Sequence, residues 1–237
     1  MRARLVLFDV DGTLIDTAGA GRRAVERAFT DVFAVDAAAH PNGVRYAGMT
    51  DPSIFLALAG ALAIDAAIYQ ERRTRLHETY LNHLAAEMER GDPRRRVLPG
   101  VVELLEDLST RRGTHLGLLT GNLERGARIK LEPFGLNRFF ASGGFGSDDA
   151  DRAVIARVAA EKLVGPSRDG IEPSQVVVVG DTEHDVACAR ANGFRAVAVA
   201  SGFVSREVLE RSAPDALLGD LTDRMAVLRA LGYEHEP

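Results

Sequence analysis

The chain has 237 residues, 46% of them apolar, with 29 basic and 34 acidic side chains and a net charge of −5. These values exclude a disordered or collagen-like polymer and leave enough apolar surface for one or two packed domains. The acidic balance lacks the basic footprint that a nucleic-acid partner requires.

In chain order, Met1-Arg2-Ala3-Arg4 leads into only four apolar residues before Asp9, too few for a signal-peptide core. The run 5–8, Leu-Val-Leu-Phe, reads as a strand buried on both faces, as in a covered parallel sheet. Residues 18–97 then carry three helical stretches, near 19–34, 51–63 and 66–90, and no convincing strand. A second strand, 115–119, starts about 105 residues after the first, far beyond the roughly 10–12 residues of a crossover helix. The economical reading is an all-α domain at 18–97 inserted into an α/β core of 1–17 and 98–237. Its exit, Gly91-Asp92-Pro93-Arg94-Arg95-Arg96, reads as a solvated linker, since charge runs usually are.

Beyond it, Val101, Leu104, Leu105 and Leu108 recur at helical spacing after Pro99-Gly100, as do Val154, Ile155, Val158 and Ala159. Strands are expected at 175–179 and 196–199, with weaker signals at 215–218 and 138–141. Strands alternating with helices predict a Rossmann-like parallel sheet with helices on both faces. No apolar run approaches the roughly 20 residues of a membrane span. Cys188, the sole cysteine, permits no intrachain disulfide or thiolate cluster, which fits a reducing cytoplasm, and reads as a small core residue. The tail 234–237 reads as frayed.

Ligands of an open parallel sheet bind at the carboxyl ends of its strands. There this sequence sets Asp9-Val10-Asp11-Gly12-Thr13, then Thr120-Gly121-Asn122, then Gly180-Asp181-Thr182-Glu183-His184-Asp185. Each alone is an ordinary turn; together they crowd four aspartates onto one edge. Such a cluster needs a cation, and an all-oxygen donor set points to Mg²⁺, which leaves positions for a phosphate. A carboxylate beside that ion can act as a nucleophile, and an acid two residues away can protonate the leaving oxygen.

These segments resemble the motifs of the haloacid dehalogenase superfamily of phosphohydrolases: Phe8-Asp9-Val10-Asp11-Gly12-Thr13-Leu14 its first, Leu118-Leu119-Thr120-Gly121-Asn122 its second, and Val178-Val179-Gly180-Asp181-Thr182-Glu183-His184-Asp185 its fourth. The layout is most similar to phosphoglycolate phosphatase-like members with a helical cap. The resemblance implies Asp9 as nucleophile and Mg²⁺ ligand, and Asp11 as general acid/base with its backbone carbonyl on the metal. It implies Thr120, Gly121 and Asn122 as phosphoryl-binding, and Asp181 and Asp185 as holding the metal or its waters. Thr13 and Asp16 would shape the flap after the first motif. An acid at position 11 favours phosphoryl over carbon–halogen chemistry but does not separate a phosphatase from a hexose-phosphate mutase.

The third motif usually offers Lys-Pro, which is absent here. Arg152 is the preferred substitute, and Lys130, otherwise an exposed helix cation near Glu132, the alternative. In the cap, Gly48-Met49-Thr50-Asp51 looks like the specificity loop, with Thr50 either a substrate contact or a helix N-cap. Arg22 and Arg23 read as solvated, with contact to an acidic substrate the alternative, and His184 as a surface or supporting residue. The expected protein is a cytoplasmic Mg²⁺-dependent phosphatase, monomeric or homodimeric. It acts on a small phosphorylated metabolite, with no nucleic-acid or membrane partner. A phosphomutase or a non-catalytic phosphoacceptor module is the alternative.

Overall fold

The structure is a computed structural model that describes residues 4–39, 43–164 and 171–233; the expected frayed tail lies outside them. In chain order come β1 (Arg4–Phe8), β2 (Ile15–Asp16), α1 (Ala20–Phe33), α2 (Asp51–Ala61), α3 (Ala66–Glu89), β3 (Arg96–Val97), α4 (Val101–Thr110) and β4 (Thr114–Leu119). They are followed by α5 (Glu124–Leu131), β5 (Gly143–Gly144), α6 (Arg152–Val164), β6 (Val176–Gly180), α7 (Glu183–Ala191), β7 (Arg195–Val199), α8 (Arg206–Ser212), β8 (Ala216–Leu218) and α9 (Arg224–Ala230).

Among the described residues, six strands form one parallel sheet in the order β5-β4-β1-β6-β7-β8. Alternation along β1 explains the two covered faces. Val6 and Phe8 pack with Leu105 of α4, Leu131 of α5 and Val227 of α9. Leu5 and Leu7 pack on the opposite face with Ile155 of α6, Val186 of α7 and Leu209 of α8. The sheet order reverses on either side of β1, so the ends of β4, β1 and β6 lie together at the switch point.

The inserted helices carry their own apolar centre. Phe29 of α1, Phe55 of α2 and Tyr80 of α3 are fully or almost fully buried, and Phe55 meets the Tyr80 ring edge-on at 5.2 Å. This cap rests on the sheet's carboxyl edge.

Two expectations are corrected. Residues 138–141 form no strand: 136–139 make a 3₁₀ turn entered through Gly135, and only Phe140 is buried, against Phe8. The edge strand is Gly143–Gly144, where a Cβ would meet the backbone oxygens of Leu118 at 2.5 Å and Ile155 at 2.3 Å, so the position needs glycines and leaves no apolar pattern to read. The inserted segment is also not strand-free at its end, because Arg96–Val97 pairs antiparallel with Ile15–Asp16. This short ribbon joins the two chain crossings between core and cap. In the exit run, Arg94 and Arg96 are exposed, but the Arg95 side chain is 7% exposed and donates to the Met88 and Arg90 carbonyls.

Candidate active site

Asp9 follows β1, Thr120 follows β4 and Asp181 follows β6, so three neighbouring strands deliver them to one place. Oxygens of Asp9, Asp181 and Asp185 lie within 4.8 Å of one another, and all three residues are buried. Thr182 caps α7 and fixes Asp185, whose carboxylate accepts from the Thr182 N–H at 3.0 Å and its hydroxyl at 2.6 Å. Thr13 donates to Asp181 Oδ1 at 3.3 Å. Gly12, at φ 83°, lets the backbone pass this carboxylate: a Cβ there would sit 2.4 Å from Asp181 Oδ2.

Burial pushes the Asp9 carboxyl up to about 6 against the pull of Arg152, and burial with the Asp9 and Asp185 charges holds Asp181 well above the ordinary carboxylate range. Three buried acids with one partial counterion are a receptor for a second cation. Their oxygen-only donor set fits a hard divalent ion such as Mg²⁺, which the family resemblance also implies. Asp11 stands apart from this triad. Its side chain, 34% exposed, accepts from Lys130 Nζ at 2.7 Å and Asn122 Nδ2 at 2.8 Å.

Both candidate cations reach the site. Arg152, the first residue of α6, lies 3.2 Å from Asp9 Oδ1 and donates to Asp185, with 9% of its side chain exposed. Lys130 is not the exposed helix cation its neighbours suggest. It is 5% exposed, bonded to Asp11 and, at 2.6 Å, to Asn122 Oδ1. Burial works against its charge, but Asp11 and Asp51 outweigh that and hold its pKa above the ordinary lysine value. Thr120 is buried, and its hydroxyl accepts from the Asn122 side chain at 2.7 Å.

The cap closes directly over these groups. The Asp51 N–H donates to the Gly121 carbonyl at 2.7 Å, and the Leu123 N–H donates to Asp51 Oδ2 at 2.8 Å. Thr50 caps α2 through Ser53, and the cavity is lined by its neighbours Met49 and Asp51 instead. His184 is exposed and packs over Gly48, while Arg23 bonds Glu87 and the Ala18 carbonyl. Asp16 accepts from the Ala18 N–H and pairs with Arg96. Cys188 is buried, its thiol pushed up to about 12 chiefly by burial, which leaves it inert.

Gly121 sits where a Cβ would lie 2.3 Å from the Met49 carbonyl oxygen and 2.8 Å from Thr50 Cα. Gly121→Ala is therefore expected to hold the cap off the core and lower kcat/KM by about 10-fold or more, with helix content unchanged by circular dichroism. Unchanged kinetics would show that this contact is not needed for turnover.

Sequence reasoning placed Asp51 only at the end of the specificity loop and gave Tyr80 no role. Asp51 signals only a helix start; its partners lie 29 and 79 residues away, at Tyr80 and Lys130. Burial raises its carboxyl to about 6, against the pull of Lys130. Unfolded, it ionises near 3.8, so between pH 4 and 6 the folded state binds the extra proton and stability falls as pH rises. Asp51→Asn removes that loss. Its melting temperature in EDTA, relative to the natural chain, should rise between pH 4.5 and pH 7.5 by the equivalent of about 2 kcal/mol. A pH-independent difference would contradict it.

With this geometry in place, comparison with known proteins gives the class. Residues 6–199 match the family model described as "Haloacid dehalogenase-like hydrolase", so the chain belongs to that family. It is a phosphatase-type hydrolase within it. It is 34% identical over 139 residues to a phosphoglycolate phosphatase of Synechococcus elongatus, a match covering 59% of this chain and 62% of that protein. It is 29% identical over 241 residues to one of Mesorhizobium japonicum, covering 98% of this chain and all of that one. A crystal structure of a predicted phosphoglycolate phosphatase from Haemophilus somnus superposes with a TM-score of 0.73 at 19% identity, over 96% of this chain and 98% of that one, and shares the fold.

Proposed function

We propose that the protein is a Mg²⁺-dependent phosphatase that hydrolyses a small phosphate monoester through an aspartyl-phosphate on Asp9, with phosphoglycolate-like esters and sugar phosphates as candidate classes. What carries this reading is the convergence of Asp9, Asp181 and Asp185 beside Arg152, with Asp11 held by Lys130 one strand-end away. Asp9, Asp181, Asp185 and the Asp11 carbonyl would hold the ion, which supplies charge that offsets the acids and the phosphoryl oxygens. The cap comprises 18–97, hinged at the ribbon, and the core 1–17 and 98–237. The protein works in the cytoplasm, as monomer or homodimer, on a small metabolite, without a nucleic-acid or membrane partner. Among the described residues no helix is long and apolar enough to cross a membrane.

In the first half-reaction an Asp9 carboxylate oxygen bonds to phosphorus as the ester P–O bond breaks, and protonated Asp11 gives its proton to the departing alkoxide. In the second, Asp11 takes a proton from water, whose oxygen attacks phosphorus and frees Asp9 and inorganic phosphate. Thr120, Asn122 and Lys130 hold the phosphoryl oxygens, Arg152 steadies Asp9, and the closed cap excludes water from the first step. The test is phosphate release from a panel of small monoesters with Mg²⁺. Continuous release that stops in excess EDTA is expected. A single stable phosphorylation, or an isomer without free phosphate, would instead identify a phosphoacceptor or a mutase.

A further inference from the structure

Away from the catalytic cavity, four arginines meet at one buried carboxylate where the cap joins the core. Glu87, near the end of α3, is 2% exposed. Its Oε1 meets Arg27 Nη1 and Arg90 Nη1, each at 2.8 Å, and its Oε2 meets Arg23 Nε at 2.8 Å and Arg95 Nη2 at 3.9 Å. Arg23 and Arg27 stand one turn apart on α1, Arg90 follows α3, and Arg95 lies in the exit run. None of the four lines the cavity over Asp9.

A single carboxylate offsets one of these four charges, and the nearby acids have partners of their own. Glu26 pairs with Arg22, Asp92 with Arg94 and Asp16 with Arg96, while Asp31 bonds His83. Among the described residues, Glu89 pairs with none of the four. Donors are in excess as well. Arg27 and Arg90 each direct one nitrogen at Glu87 and, among the described residues, make no other polar side-chain contact; their side chains are 44% and 60% exposed. The Arg95 Nε–H is buried with no hydrogen-bond partner, although Nη1 reaches the Met88 and Arg90 carbonyls. Repulsion among guanidinium groups crowded on one acid and these unmet donors both favour a second anion. Guanidinium forks match phosphate oxygens bidentately, and a multiply charged oxyanion offsets more of the excess than a carboxylate does.

We infer that this cluster is a second anion site, taking a phosphate oxyanion of high charge such as pyrophosphate or the phosphate chain of a metabolite. It is independent of the reaction proposed at Asp9. Its place gives it a hold on the hinge. Arg23 Nη1 also donates to the Ala18 carbonyl at 2.7 Å, at the entry to the cap, where Ala18 holds a left-handed φ of 50°. Arg95 ties down the exit through its two carbonyl partners. An anion held between Arg27 and Arg90 braces α1 against the end of α3, so its binding stabilises the cap.

The test uses the full chain in EDTA, where the metal-free acid triad repels anions, at constant ionic strength set with chloride. Pyrophosphate should raise the melting temperature and bind in calorimetry at one site per chain, about 10-fold or more tighter than inorganic phosphate. Arg27→Gln and Arg90→Gln change exposed side chains outside the catalytic site. Each should weaken pyrophosphate by about 3-fold or more, and the pair by about 10-fold or more, with phosphate release in Mg²⁺ unchanged. Lys130→Met, which alters the phosphoryl site, should leave this binding as it is. Should the glutamine variants melt lower on their own, Arg27→Lys with Arg90→Lys keeps the charges without the forks and should hold an intermediate affinity. ATP in place of pyrophosphate tells the sources apart: equal affinity points to the phosphate chain alone, tighter ATP to a nucleotide, and both uphold the site. No binding, binding that the arginine pair does not weaken, or binding lost with Lys130→Met would overturn it.

Discussion

Asp9→Asn is expected to lower phosphate release from any ester by roughly 10³-fold or more, the scale seen when a nucleophile is removed from a working active site. The amide nitrogen and carbonyl oxygen of asparagine keep the shape of the residue but cannot form the acyl phosphate. The variant should nevertheless fold. Asp9 is buried among Asp181 and Asp185, and its carboxyl is raised to about 6 chiefly by burial, so its charge is a cost to the metal-free fold above that pH. Loss of Arg152's second partner works in the opposite direction, but Arg152 keeps Asp185. The melting temperature in EDTA at pH 7.5 should therefore be equal to or above that of the natural chain, while turnover disappears. Full activity of purified Asp9→Asn would end the covalent mechanism. A collapsed melting temperature would show that Asp9 is needed for the fold and not only for chemistry.

The difference between those two readouts reflects how the chain encodes fold and site. The central strands were legible because burial on both faces leaves apolar runs, such as Leu5 to Phe8 and Val176 to Val179, which end abruptly at Asp9 and at Gly180-Asp181. The same abrupt ends make Asp9, Thr120 and Asp181 visible, since the first polar residue after a buried parallel strand lies on the ligand-binding edge. What was not legible lacks either a periodic pattern or a local partner. Gly143 and Gly144 form an edge strand through backbone proximity alone. Lys130 shares α5 with Arg125 and Arg128, and nothing in that stretch marks it as the buried cation; its identity is set by Asp11, 119 residues earlier. Asp51 reads as a helix start because its second role is to accept the Leu123 N–H across the cap–core boundary, and that contact exists only once the cap is seated.

The placement of Lys130 and Arg152 also changes what the missing Lys-Pro motif means. Sequence spacing makes them alternatives for one task; the geometry gives each a separate carboxylate. Lys130 Nζ binds Asp11 and Asn122, and Arg152 bridges Asp9 and Asp185. Lys130→Met should therefore lower kcat by about 10²- to 10³-fold, as loss of one preorganised donor does, and leave the Mg²⁺ concentration for half-maximal activity unchanged. Arg152→Met should cost a similar factor in kcat. It also removes a positive charge beside the acid triad, so the half-maximal Mg²⁺ concentration should fall, because the guanidinium no longer repels the ion. Two kinetic titrations separate the roles: both variants slow, but only one shifts its metal dependence. If Arg152→Met keeps full activity while Lys130→Met is inactive, Lys130 alone neutralises the transferring phosphoryl group and Arg152 serves only to hold Asp185 in place.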